Sequence, residues 1–293
     1  MNRLKKFLTV GALVAASVGV ANQASAAAFS LTNGNLTVNV GDNGAISSLV
    51  FAGFEFYREG TFVADFGLQV GTNTASFRLN TINGAAGMAG SSTNPTWNGT
   101  YANGGETANI SRTFSIVTGL DVLSVTTTIT NTSTGALTFR SFDTFDPDQG
   151  VSAGGGFDTQ NDVFLLAGLS VARATQLAGS AAGLSVVMGP GGPLGFHGFA
   201  GLEINTGSEL NTFFLGPEDP NGAVSDIGFA IARELVLAPG ATGSWTFFQA
   251  FGRTVGGAEA GFTAVAAPEP TSLLLLGGGL VAAGRRLRRR RAA

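Results

Sequence analysis

The chain has 293 residues, no cysteine, one histidine and a formal net charge of −3. The lack of cysteine excludes a disulfide framework, a thiol nucleophile and cysteine metal sites. Its 44 glycines and 23 phenylalanines, against two tryptophans and two tyrosines, point to many turns around a dry apolar interior.

At the front, Arg3, Lys5 and Lys6 precede an apolar stretch from Phe7 to Ala21. Ala24-Ser25-Ala26 then fits a small-x-small cleavage site, with Ala26-Ala27-Ala28 as a second choice. This order of charge, apolar run and small residues predicts a secretory signal peptide over residues 1–26, removed by signal peptidase. The alternative is an N-terminal core helix.

Three basic residues lie in 1–26 and six in 268–293, leaving residues 27–267 with seven arginines, no lysine and eighteen acids, a charge near −11. Such a domain is repelled by nucleic-acid phosphate and by anionic membranes. Divalent cations suit it better. Its 241 residues are enough for one substantial core.

The pattern in this region is β throughout. Leu36, Val38 and Val40 alternate with Thr37 and Asn39, and Gly41-Asp42-Asn43-Gly44 turns the chain into a second strand over Ile46 to Tyr57. Thr113 to Val117, Val122 to Thr130 and Ala136 to Phe142 follow, with Leu123, Val125, Thr127 and Ile129 on one face. Later candidates are Val163 to Val171, Leu184 to Met188, Ile227 to Leu237 and Ser244 to Phe251. Thr81 to Asn109, rich in Gly, Ser, Asn and Thr, reads as a long exposed loop. Trp97 and Tyr101 lie within it, where stacking on a sugar is open to them; Tyr57 and Trp245 are the other candidates. The expected fold is all-β, a single large antiparallel β-sandwich over 27–267. A signal helix precedes it and a short C-terminal transmembrane helix follows it.

Chemistry-bearing residues are few. His197, between Phe196 and Phe199 in a glycine-rich stretch, is the one histidine a Ser-His-Asp triad could use; it reads more simply as a packed or hydrogen-bonded residue. No catalytic set is recognisable. The acid-rich stretch Asp143 to Asp148 and the later Asp158 to Asp162 offer Asp146, Asp148, Asp158, Asn161 and Asp162 as oxygen ligands for calcium, which takes about six to eight oxygens. The same residues also fit a solvated acidic loop, or a carboxylate pair acting on a glycoside. No cofactor is expected apart from this candidate Ca2+.

The tail has three parts. Pro268-Glu269-Pro270 leads into an apolar run from Thr271 to Gly284, and Arg285, Arg286, Arg288, Arg289, Arg290 and Arg291 follow. Fourteen apolar residues span roughly 21 Å as a helix, short of a bilayer core of about 30 Å. The run suits transient inner-membrane association, with the arginines held on the cytoplasmic side. In sequence and order this tail resembles the PEP-CTERM sorting signal. The resemblance implies that a membrane protease-transpeptidase, exosortase, processes the protein near the motif, and that the domain reaches the cell surface or beyond. The alternative is an ordinary single-pass anchor.

Leu31 to Phe56 and Arg112 to Asn131 are similar to the opening and middle of galactose-mutarotase-like β-supersandwich domains. An immunoglobulin-like or jelly-roll sandwich explains the same strands. Mutarotase-like active sites bring more than one histidine, so the resemblance does not extend to epimerase activity here. The functional expectation is a noncatalytic structural or adhesion protein of the cell surface and its exopolysaccharide or biofilm matrix. Its alternatives are a carbohydrate-binding module and a glycoside-active enzyme.

Overall fold

Two-residue alternation accounts for most of the architecture. In the stretch 36–41 Leu36, Val38 and Val40 are fully buried, with Thr37 and Asn39 half-buried between them. In 122–131 the same rule buries Leu123, Val125, Thr127 and Ile129. Successive side chains of a strand point to opposite faces, so one face joins the core and the other meets solvent.

The structure is a computed structural model that describes residues 27–41, 44–56, 66–71, 86–91, 93–151, 154–192, 197–200 and 219–266. Residues 1–26, where a signal peptide is expected, Tyr57 and the tail 268–293 lie outside the described residues. In chain order the strands are β1 (Ala27–Asn33), β2 (Leu36–Gly41), β3 (Ile46–Phe51), β4 (Phe54–Glu55), β5 (Phe66–Val70), β6 (Ala86–Ser91), β7 (Asn94–Asn103), β8 (Glu106–Ile116) and β9 (Val122–Asn131). They continue as β10 (Leu137–Phe145), β11 (Thr159–Leu166), β12 (Leu169–Gln176), β13 (Ser185–Pro190), β14 (His197–Ala200), β15 (Val224–Ser225), β16 (Phe229–Leu237) and β17 (Thr242–Gly252), and the helix α1 (Val255–Ala266) ends the series.

The strands form three antiparallel sheets. One runs β1-β2-β3-β4, a second β14-β16-β10-β5, and the third has nine strands in the order β15-β11-β12-β13-β17-β9-β8-β7-β6. A single apolar cluster joins all three, with Val38 and Phe51 from the first, Phe66, Phe139 and Phe229 from the second, and Trp97, Phe114 and Phe247 from the third. The all-β expectation is met, in an arrangement of stacked sheets.

Three local expectations are corrected. The single strand expected over Ile46 to Tyr57 ends at Phe51 and turns at Ala52-Gly53 into β4, which pairs back on β3. Residues 94–109 are no exposed loop but β7 and the start of β8, and Val163 to Val171 is two strands turning at Ala167-Gly168. Both residues of that turn have positive φ, 53° and 80°, as a tight type I′ hairpin requires.

The helix was not legible as a helix. Thr254 caps it, its Oγ1 accepting from the Gly257 N–H at 3.1 Å. Ala258, Phe262 and Ala266, four residues apart, lie buried on Val122, Val171, Val187 and Ala250 of the nine-stranded sheet. This second cluster lies on the sheet face away from the main core. Among the described residues no helix is long and apolar enough to cross a membrane.

Candidate functional site

The acid-rich stretch begins where β10 ends. The Asp148 N–H donates to the Phe56 carbonyl at 2.9 Å, which pins the loop beside β4. There the carboxylates of Asp146, Asp148 and Asp226 come together, with ligand oxygens all within 4.8 Å of one another. Asp148 is buried, Asp146 half-buried and Asp226 exposed. Asp226 follows β15, which pairs with β11; it stands far from Asp146 and Asp148 in sequence, so no local acid cluster points to it.

The other three expected ligands are elsewhere. Asp158 is exposed just before β11. Asn161 is fully buried. Its amide donates to the carbonyls of Thr159 and Ser225 at 2.7 and 3.2 Å, and its Oδ1 accepts from the Thr159 hydroxyl at 3.1 Å. Asp162, on the opposite face of β11, lies 3.6 Å from Arg173. Burial and then the neighbouring Asp219 hold its carboxyl above the usual carboxylate range, with Arg173 opposing them.

The aromatic candidates face inward. Trp97 is fully buried, and Tyr101 and Trp245 are nearly so. The space beside Trp97 exists because position 99 is glycine: a Cβ there would stand 2.1 Å from the indole ring. None of these three can stack on a sugar at the surface. His197 opens β14 with its backbone opposite Ala232 of β16.

One ion pair is buried inside the main core. Arg112 of β8 reaches across to Asp143 of β10, each almost fully enclosed, and the guanidinium lies 4.4 Å from the centre of the Phe66 ring. Arg112 Nε has no hydrogen-bond partner among the described residues. Burial outweighs the attraction of Arg112 and pushes the Asp143 carboxyl up to about 6.

Across β7, β8, β9 and the first part of β17, the face of the nine-stranded sheet opposite the main core is polar and uncharged. Thr96, Thr113, Thr126 and Thr246 stand in register across β7, β8, β9 and β17. The next row is Asn98, Ser111, Thr128 and Ser244. The third is Thr100, Asn109, Thr130 and Thr242. Hydroxyls pair across the strands, Thr96 with Thr113 at 2.9 Å, Thr126 with Thr246 at 2.7 Å and Thr130 with Thr242 at 2.8 Å. A depression of about 300 Å³ lies over the second and third rows.

Comparison with known proteins bears on both parts of the chain. Residues 266–290 match the PEP-CTERM protein-sorting motif, and the chain is accordingly an exosortase-sorted exported protein. No curated protein matches the sequence. Among solved structures, a bacterial glucoamylase complexed with acarbose is 12% identical with a TM-score of 0.58, over 86% of this chain and 34% of its own. A galactose mutarotase-like protein from Lactobacillus casei ATCC 334 is 11% identical over 76% of this chain and 99% of its own, with a TM-score of 0.47. A galactose mutarotase related enzyme from Lactobacillus acidophilus is 8% identical over 78% and 98%, with a TM-score of 0.41. The likeness to the glucoamylase is one of fold, over about a third of that protein.

Proposed function

We propose that this protein is a noncatalytic component of the cell surface and its polysaccharide matrix. In this reading residues 1–26 are removed by signal peptidase at Ala24-Ser25-Ala26, residues 27–267 are the working domain, and 268–293 are the sorting signal. The motif at 266–290 carries the reading, because it directs the β domain out of the cell. The makeup of the domain supports it. One histidine serves 293 residues, and the interior row at Arg112 is filled by Trp97, Thr127 and Trp245.

A glycoside-active reading has one observation in its favour, the convergence of Asp146, Asp148 and Asp226, since two carboxylates are the usual machinery for glycoside cleavage. Protein released from cells should co-fractionate with matrix polysaccharide and release no new reducing ends from it. Release that disappears in an Asp146→Asn, Asp148→Asn variant would replace the noncatalytic reading with the enzymatic one.

Calcium is the cation these three carboxylates suit, because clustered carboxylates repel one another and a divalent ion relieves that repulsion. Extracellular calcium modules bind at about 10⁻⁴–10⁻³ M. Millimolar calcium should therefore raise stability by about 1 kcal/mol, or roughly 2–4 °C in melting temperature. Asp148→Asn and Asp226→Asn should each abolish the rise, whereas Asp158→Asn should not. Melting curves that superimpose with calcium and with chelator would leave these three carboxylates with no part in cation binding.

A further inference from the structure

The outer face of the nine-stranded sheet is divided. Over β12, β13 and the end of β17 it is apolar and lies under α1. Past Phe248, the outward positions of β17, β9, β8 and β7 become the three rows of threonine, serine and asparagine. Thr100, Asn109, Thr242 and Ser244 are exposed there and the others half-buried.

We propose that this polar face binds a neutral polysaccharide chain. The inference deepens the matrix reading above and rests on it for the source of the ligand. Absence of charge is the first argument. None of the twelve positions in the three rows is ionisable, although outward positions elsewhere carry ion pairs: Arg140 with Glu234, and Arg173 with Asp162 and Glu259. An uncharged face on an acidic domain offers nothing to phosphate polymers or anionic lipids. Its complement is an uncharged partner rich in hydroxyls.

The second argument is hydrogen-bonding capacity. Each hydroxyl carries one donor and two acceptor lone pairs. A cross-strand pair such as Thr126 and Thr246 uses one donor and one acceptor site, which leaves the pair a second donor and further lone pairs to offer a ligand. The pairing also fixes the rotamers, which lowers the ordering cost of binding.

The third argument is shape. The depression of about 300 Å³ is walled by Asn98, Ser111, Thr128 and Thr130, the lower end of the size range for small-ligand clefts. With Trp97, Tyr101 and Trp245 facing inward, recognition rests on hydrogen bonds rather than on ring stacking. Individual sites are then weak, and retention comes from repeated contacts along one polymer chain.

The test is native affinity electrophoresis of the full-length protein in gels containing neutral dextran, neutral hydroxyethyl cellulose or anionic alginate. At least one neutral polymer should retard the protein, with alginate weaker. Ser111→Val with Thr128→Val removes two hydroxyls and leaves a strand-favouring residue at each position, and should weaken the retardation about tenfold. Arg140→Gln with Glu234→Gln, on another sheet, should leave it unchanged. Lack of retardation by both neutral polymers, equal retardation of the valine variant, or self-association through this face in light scattering would each overturn the proposal. Matrix retention undiminished in the valine variant would sink this site and leave the proposed function standing; normal binding in gels by a protein that never leaves the cell would do the reverse.

Discussion

Arg112→Ala is expected to destabilise the domain by about 3–5 kcal/mol at neutral pH, the usual cost of stranding one member of a buried ion pair. For a domain of this size that is a melting temperature lower by roughly 10 °C. Asp143, left in the core opposite Phe66, would lose the cation that opposes its burial, and must either stay charged without a partner or take up a proton at neutral pH. Arg112 also stacks on Phe66 and Phe114, so its removal opens space in the main core. Arg112→Met with Asp143→Leu should recover most of the loss, because a buried pair replaced by apolar residues of similar volume is often neutral.

The same pair gives an unusual pH dependence. Burial pushes the folded Asp143 carboxyl up to about 6, against 3.8 for an ordinary aspartate. Between those values the folded state holds a proton that the unfolded chain has released. The contribution of Asp143 to stability is therefore present at low pH and is lost as pH rises through about 6, by an amount on the order of 3 kcal/mol. Most paired carboxylates run the other way. In denaturant titrations from pH 4 to pH 8, wild type should lose stability relative to Asp143→Asn across this window. Parallel curves would mean that Arg112 holds Asp143 ionised throughout. The Arg112→Ala loss should also shrink near pH 4.5, where Asp143 can be neutral.

How much of this could be read in the sequence depends on where the alternation is visible. Leu36 to Val40 repeat an apolar residue at every second position, Leu123 to Ile129 do so except at Thr127, and both stretches are strands with the expected inward face. β7 hides the same period. Its inward positions are Pro95, Trp97, Gly99 and Tyr101, and Gly99 is small because the Trp97 ring takes its volume. A stretch that looks like a polar loop is thus a strand whose core contribution is concentrated in two aromatics. In α1 the glycines Gly256, Gly257 and Gly261 mask a helix that three buried residues and a threonine cap hold on the sheet.

The acidic site was half legible, for a related reason. Asp146 and Asp148 are neighbours in sequence and remain so in space. Asn161 and Asp162 look equally adjacent, but a strand sends consecutive side chains to opposite faces. One serves a buried amide network and the other faces Arg173. Asp226 reaches the site because β15 pairs with the start of β11, a long-range pairing with no local signal. The sorting tail was the most legible part, because an address is read as sequence and needs no fold.

That tail also carries the largest expected effect on the protein in the cell. Pro268→Ala with Glu269→Ala leaves the apolar run and the arginines intact and removes only the motif ahead of them. Export across the inner membrane should proceed, while release or surface display should fall to background. The most direct test is to fractionate cells that make wild type and variant, and to weigh the extracellular protein by intact-mass spectrometry. The expected wild-type product begins near Ala27 or Ala28 and lacks the cluster Arg285 to Arg291, with the variant held in the inner-membrane fraction. Normal surface display of the variant, or recovery of the intact wild-type chain from the cytoplasm, would contradict the account.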